Sequence, residues 1–425
     1  MGHDSRAGGA GPNPARTPAS QPIMSANQPA SDAPGSPRRE AVPVPSRWEL
    51  FATFLRLGAT AFGGPAMVAY IRQTAVERKG WLDARAFDDG VALCQAVPGA
   101  TAMQTAAYVG WRVRGVAGAA VCYAGFGLPA FGLMLLLAAA YGRAHSLPVV
   151  ISAFSGLQAI VVAIVANAAV AFGRTTLKDW RHLLITALAV ALFGWGLNPF
   201  LVVVLAAFAG ASILKAENPV ASAPPPAALA ATTKPLLLIL GASGAMLAAV
   251  FVGNRPLFDL AVLMMRVDLF AFGGGFASVP LLFNEVVTVR QWLDGPTFSD
   301  GLVLGQVTPG PIVITATFVG YLRQGVLGAV VATVGVFLPS FLIVIAAAPH
   351  FDRLRSSPVF ARLIGGALCS FPGLLLIVTV HFAWNVTWDW PRIILAGAAL
   401  LALRFGVNIL WVVLVGIGLA LLFCR

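Results

Sequence analysis

The chain carries the same broken apolar unit twice. Phe62-Gly63-Gly64-Pro65 is answered by Phe272-Gly273-Gly274-Gly275, and an arginine, Arg56 or Arg266, stands six residues before each phenylalanine. Gln95, Pro98 and Gly99 are answered by Gln306, Pro309 and Gly310, and Trp81-Leu82-Asp83 by Trp292-Leu293-Asp294. Leu128-Pro129-Ala130-Phe131 is answered by Leu338-Pro339-Ser340-Phe341, and the offset stays near 210 residues throughout. Pro and Gly-Gly interrupt helices, so each copy is predicted to be a set of apolar helices broken at matched places. Duplicated, helix-breaking membrane units are the build of secondary transporters.

Composition places these units in lipid. Hydrophobic residues make up 58% of the 425 and charged residues 11%, with a mean hydropathy of +0.82, against about 25% charged in a soluble domain. The net charge of +11 would point to nucleic acid in a soluble protein. Here the basic residues fall between apolar runs, which reads as topogenic Lys and Arg facing anionic lipid, with no nucleic-acid partner. Cys94, Cys122, Cys369 and Cys424 lie in apolar stretches without CxxC spacing and read as small core residues.

Residues 1–47 are rich in Pro, Ala, Ser and Gly, have no apolar periodicity, and are predicted to be a disordered cytoplasmic tail. A first repeat is expected over 48–214, with candidate membrane segments at 48–71, 91–111, 115–142, 148–172, 181–195 and 198–214. The last two are short and meet at a Gly-Asn-Pro turn. A linker with one extra transmembrane helix (235–252) covers 215–255. A second repeat over 256–425 offers segments at 256–283, 301–321, 325–348, 359–384, 391–404 and 408–424. Two six-segment halves joined directly would face the same way, so one additional helix would invert the second. The predicted fold is therefore an all-α polytopic membrane protein, two homologous halves in an inverted repeat with broken helices. With the N-terminus inside, Arg72, Arg78, Lys79 and Arg85 fall outside if 48–71 crosses, against the positive-inside rule. A segment 48–71 that re-enters without crossing would remove that conflict.

The breaks carry the candidate chemistry. Lipid cannot satisfy the backbone groups of a broken helix, so a break must be buried in protein or line a wet cavity. The half-helix that follows offers free N–H groups and a positive dipole end, which suits an anion. Close helix packing through small residues is the alternative for a single Gly-Gly pair. Arg56 and Arg266 lie in or beside apolar runs, and a guanidinium at that depth faces a partner or a pathway. It can grip an oxyanion through two donors, or snorkel to an interface. Asp268 is two residues from Arg266, off its helical face, and is a candidate for proton coupling; Gly58 stands at the matching first-half position.

A second pair of breaks lies at Gln95-Ala96-Val97-Pro98-Gly99 and Gln306-Val307-Thr308-Pro309-Gly310. Pro removes a backbone donor and frees a carbonyl four residues back. Gln95, Thr101, Gln104, Gln306 and Thr308 are placed to satisfy freed groups or to bind substrate. The acids Glu77, Asp83, Asp88, Asp89, Glu285 and Asp294 read as solvated loop residues. Trp81 and Trp292 read as interface anchors, with Asp83 and Asp294 as helix N-caps. The histidines make no metal-ligand spacing, and no nucleotide or flavin fingerprint is present. Neither a metal, a cofactor nor an enzymatic activity is expected.

At these residues the chain resembles the long-chain, two-domain members of the chromate ion transporter family. The resemblance covers about 48–424 and rests on Arg56-Leu57-Gly58, Phe62 to Pro65, Trp81-Leu82 and Gln95 to Gly99. In the second half it rests on Phe272 to Gly275 and Pro309 to Pro311. Two departures stand out: Val68 replaces the family's histidine after the first break, and Pro98-Gly99-Ala100 replaces Pro-Gly-Pro. The resemblance implies chromate export across the inner (plasma) membrane, drawing on the proton gradient and conferring resistance. The expected binding residues are Arg56, Phe62, Gly63, Gly64, Pro65, Gln95, Pro98, Gly99, Arg266, Phe272, Gly273, Gly274, Gln306, Thr308, Pro309 and Gly310. The expected partners are a tetrahedral oxyanion and the bilayer, and a homodimer is compatible with the reading. Sulfate or another small anion is the alternative cargo. A non-transporting sensory or structural subunit is the alternative of another class.

Overall fold

The computed structural model describes residues 44–62, 64–144, 147–215, 229–351, 354 and 356–423, without the side chains of Gly64, Pro65 and 229–231. Among these residues the regular structure is entirely helical. Gly63 and residues 1–43 of the expected tail lie outside the described residues.

The first half opens with α1 (Arg47–Thr60), N-capped by Ser46, whose hydroxyl accepts from the Glu49 N–H at 3.0 Å. After the break come α2 (Gly64–Arg72) and a π-helical turn, Gln73–Arg78. These do not form one crossing. Lys79 Nζ pairs with Glu49 Oε1 at 2.9 Å, although thirty residues of continuous helix would separate them by about 45 Å. α1 and α2 are thus two arms of a hairpin. The 48–71 segment therefore re-enters, and Arg72, Arg78, Lys79 and Arg85 return to the face where α1 began, which removes the conflict with the positive-inside rule.

A second hairpin follows. α3 (Ala84–Ala96) starts on Asp83, whose Oδ1 accepts from the Ala86 N–H at 2.8 Å. α4 (Thr101–Ala144) is interrupted at Arg114 (φ −141°, ψ 27°) and Gly115 (φ 63°, ψ −157°), dividing it into α4a (101–113) and α4b (116–144). A Cβ at Gly90 of α3 would strike the ring of Tyr108 in α4a, so these arms are antiparallel and meet at the Val97–Ala100 tip. The segment expected over 91–111 is this re-entrant tip, not a crossing. Arg114 Nε donates to the Pro45 carbonyl at 2.5 Å. Pro45, Glu49, Lys79 and Arg114 therefore share one face, the near face, and α4b leads away from it. α5 (Pro148–Thr176), α6 (Trp180–Gly194) and α7 (Pro199–Ile213) complete the half.

α8 (Leu229–Gly253) is the additional helix between the halves, and it starts beside the near face, where Trp111 Nε1 donates to Thr232 Oγ1. The second half then repeats the first. α9 (Arg255–Phe270) leads to a break, a 3-10 turn (Gly275–Ala277), α10 (Ser278–Phe283) and a π turn (Asn284–Val289). α11 (Gly295–Val307) leads to a second tip, a 3-10 turn (Ile312–Ile314) and α12 (Thr315–Ala347). α12 is interrupted at Gln324 (φ −143°, ψ 26°) and Gly325 (φ 61°, ψ −150°), close to the values at Arg114 and Gly115. α13 (Pro358–Asn385), α14 (Trp390–Arg404) and α15 (Ile409–Phe423) follow. Asp294 caps α11 as Asp83 caps α3, accepting from the Thr297 N–H at 2.8 Å.

The halves interlock. α6 and α7 pack on α13, while α14 and α15 pack on α5, so each half's closing helices lie against the other half. Tyr141, near the distal end of α4b, donates to Asp300 in the first turns of α11 at 2.8 Å. The second-half hairpins therefore begin at the far face. Glu285 departs from its expected place as a solvated loop acid. It is 3% exposed, pairs with Arg290 at 3.3 Å and accepts from Asn198 at 3.5 Å, because the π turn carries it inward beneath the α6–α7 turn.

Candidate functional site

Four hairpin tips are joined in the interior by crossed backbone bonds. The Gly99 N–H donates to the Ala271 carbonyl at 3.0 Å, and the Gly310 N–H donates to the Ala61 carbonyl at 3.1 Å. Each bond ties the second tip of one half to the first tip of the other. Gly99 and Gly310 hold φ of +119° and +115°, a region closed to residues with a Cβ. A Cβ at Gly99 would overlap Ser340, and one at Gly310 would lie 2.8 Å from Ala130. Ala130 stands midway along α4b, about 21 Å from either end at 1.5 Å per residue. The tips thus meet at the middle depth of a spanning helix.

Gly273 and Gly274 also hold positive φ, +86° and +104°. Position 273 faces Phe172 and Leu368, and a Cβ at 274 would lie 3.4 Å from Thr101 Oγ1. The start of α4a and the second-half break are therefore neighbours. A Cβ at Gly275 would lie 2.9 Å from Ile312, which brings the two second-half tips together. Helical turns open at 64, 101, 275 and 312, directly after these tips, so the N-terminal ends of four helical segments, with their positive dipole ends, gather at one depth.

The polar side chains divide into those already used and those that are not. Gln104 Nε2 donates to the Pro98 carbonyl at 2.6 Å, answering a group the break sets free. The Thr308 hydroxyl donates to Leu304 O at 2.8 Å inside its own helix. Gln104 Oε1, Gln306 Nε2 and Asp268 Oδ1 are buried with no hydrogen-bond partner among the described residues. Groups left so cost about 1–3 kcal/mol each; these three belong to the tips or their neighbours, whereas Asn284 Nδ2 and Arg392 Nε, also without a partner among the described residues, belong to the second π turn and the start of α14. Gln95, the repeat-mate of Gln306, is exposed, while Phe62, Phe272 and Pro98 are half-buried and Pro309 is buried.

Asp268 is 1% exposed. Its Oδ2 accepts from the Ser340 N–H at 2.6 Å, beside the kink at Pro339, where the helix ladder is disrupted. Ser340 Oγ lies 3.1 Å from Tyr123 Oη, which donates to the Phe337 carbonyl at 2.7 Å. Asp268 thus belongs to a network joining α9, α12 and α4 next to the Gly99 tip. Ser340 and Tyr123 escaped the sequence reading. The substitution of Ser340 for Ala130 at a repeated Leu-Pro-x-Phe was the available signal.

The two arginines stand apart from the tip bonds. Arg56 is exposed on α1, and Arg266 is half-buried with its guanidinium 4.6 Å from the Phe200 ring centroid. Among the described residues neither has a carboxylate partner, and Arg266 does not pair with Asp268. Arg56 lies about 14 Å along α1 from its start, on an exposed side of the helix.

No solved structure matches the chain. A chain from Methanocaldococcus jannaschii described as an uncharacterized transporter is 39% identical over 380 residues, covering 89% of this chain and 94% of that one. The chromate transport protein of Cupriavidus metallidurans is 32% identical, covering 82% and 85% of the two chains. That of Pseudomonas aeruginosa is 31% identical, covering 81% and 83%. The family model described as Chromate transporter matches residues 48–211 and 258–422, one match in each half and neither over the additional helix. This multi-pass membrane protein belongs to the chromate transporter family.

Proposed function

We propose that the chain is a secondary transporter that exports chromate across the plasma (inner) membrane, driven by the proton gradient. The observation that carries this reading is the crossed pair Gly99–Ala271 and Gly310–Ala61 at the middle depth of α4b. It gathers four helix starts from both halves where a dianion would have to be held while lipid is excluded. Relatives described as chromate transport proteins, matched over most of their length, support chromate as the cargo.

In this reading the anion lies among the tips. Backbone donors at Gly273-Gly274 and at the helical turns that open at Thr101 and Ile312 surround it, and the expected Gly63-Gly64 pair is the first-half counterpart of Gly273-Gly274. Gln306 and Gln104 offer side-chain contacts, and Arg56 and Arg266 supply positive potential from the flanks. Phe62, Pro65, Gln95, Pro98, Thr308 and Pro309 shape the tips. Asp268 is the proton carrier: one of its oxygens is held by the Ser340 N–H and the other is unpartnered, beside a tip that substrate would displace. The hairpins of the two halves start on opposite faces, which supports an inverted repeat working by alternating access.

The test is labelled-chromate uptake by inside-out vesicles containing the protein, with a proton gradient imposed and then collapsed. Uptake that needs the gradient and is weakly displaced by sulfate is expected. Strong competition by sulfate would reassign the cargo. Absence of any flux under every gradient would remove the transport reading.

A further inference from the structure

The two arginines of the repeat are held differently. Arg266 is half-buried, and its guanidinium lies 4.6 Å from the ring centroid of Phe200, at the start of α7. Arg56 is exposed, and Leu410 stands at the repeat-mate of Phe200. One half thus carries a ring that the other lacks.

The Phe200 ring is fixed by its neighbours and is 5% exposed. Phe270, one turn beyond Arg266 on the same face of α9, meets it nearly edge-on at 77°, with centroids 5.3 Å apart. Thr60 stands at the repeat-mate of Phe270. Asn198 sets the backbone beneath the ring: its Oδ1 accepts from the Phe200 N–H at 2.9 Å, and its Nδ2 donates to Glu285 Oε1 at 3.5 Å. Glu285 is 3% exposed and pairs with Arg290 at 3.3 Å. The buried acid beside the start of α7 is therefore committed to Arg290 and Asn198. Arg266 meets an aromatic face there instead of a carboxylate.

A guanidinium in apolar surroundings needs a partner. A carboxylate would hold it, but would also cancel the field that draws an anion. A ring face holds the cation through its quadrupole and leaves the charge whole. Without the ring, the long side chain is free to snorkel toward the far face, where α9 begins.

We propose that Phe200 is the positioning residue of Arg266: its ring, set by Asn198 and Phe270, keeps an uncancelled positive charge one turn before the end of α9. The inference rests on the reading above in which Arg266 serves the anion. It gives the α6–α7 turn of the first half a task in the second half. Phe200 acts through Arg266 and is not a substrate ligand.

The test places mono-, di- and trifluorinated phenylalanine at position 200 of the full chain. Fluorine withdraws negative potential from the ring face and nearly keeps the ring's shape, so a role in packing alone would not give a graded response. KM and kcat for chromate are read in inside-out vesicles, beside Arg266→Ala. KM should rise with each fluorine, to roughly fivefold with three, while kcat holds. Phe200→Leu, which copies the first half, should raise KM at least as far. A flat fluorine series beside a raised KM or lost flux in Arg266→Ala would overturn the positioning role and leave the anion reading standing. A graded fall in thermal midpoint with KM unchanged would overturn it too, as the mark of a contact that only stabilises the fold. An unchanged KM in Arg266→Ala would remove Arg266 from the anion's environment, and the proposal with it. A wild type that moves no chromate would remove the transport reading itself.

Discussion

Gly99 gives its N–H to the carbonyl of Ala271 at 3.0 Å, while its repeat-mate Gly310 gives its own to Ala61, the repeat-mate of Ala271, at 3.1 Å. This exchange closes the molecule at its centre. Each break leaves backbone groups that lipid cannot serve, and the partner half serves one of them. Neither half could therefore place its tips at this depth alone without leaving these donors and acceptors bare.

Replacing Gly99 or Gly310 with Ala should destabilise the protein and abolish transport. A Cβ is strained at φ near +119° or +115°, at a cost of order 1–3 kcal/mol, and at Gly99 it also meets Ser340. Thermal unfolding in detergent should show a lower midpoint for both, with Gly99→Ala the worse. An unchanged midpoint would mean the tips are not packed as described.

The hairpin of α1 and α2 can be checked directly. In the chain with its native cysteines replaced, Glu49→Cys with Lys79→Cys should join through a short bifunctional thiol reagent. The native pair lies at 2.9 Å, whereas a continuous crossing helix would hold these positions about 45 Å apart. Failure to cross-link in folded protein would restore the crossing.

Arg56→Ala should abolish chromate resistance while membrane expression stays at the wild-type level. Arg266→Lys should keep the charge but weaken the guanidinium–ring contact with Phe200, worth about 0.5–2 kcal/mol, and should therefore lower resistance less than Arg266→Ala. Growth on graded chromate, normalised to protein in the membrane, reads both. Full resistance in Arg56→Ala would remove that residue from the anion's environment.

Asp268→Asn keeps an acceptor for the Ser340 N–H but has no titratable proton. It should fold normally and make chromate flux indifferent to collapse of the proton gradient. Asp268→Ala leaves a buried N–H unpaired and should lower stability by about 1–3 kcal/mol. Gradient-dependent flux in Asp268→Asn would move the coupling site elsewhere.

Much of the fold was legible along the chain because its signals are local. Gly-Gly and Pro-Gly interruptions mark the tips, Asp83 and Asp294 cap the helices that follow them, and an apolar run between the halves became α8. The direction of each arm was not legible in that way. Hydropathy reports that a segment leaves water, and it reads the same whether the chain crosses the bilayer or returns from its middle. The contacts that separate these outcomes, Glu49 with Lys79 and Gly90 with Tyr108, pair residues far apart in sequence. The same holds for the polar groups: Asp268 was visible as a rare acid in an apolar run, but its partner Ser340 lies 72 residues away.

The sequence by itself determined the duplication, the places where helices break, the caps and the membrane setting, because propensity, patterning and hydrophobicity act within a few residues. Only the tertiary structure decided that the breaks are tips of returning hairpins and that the tips exchange hydrogen bonds between halves. Those features arise where segments from opposite halves meet in a low-dielectric interior. There an unpaired amide or carboxylate is costly enough to select its partner, and chain distance plays no part in the choice.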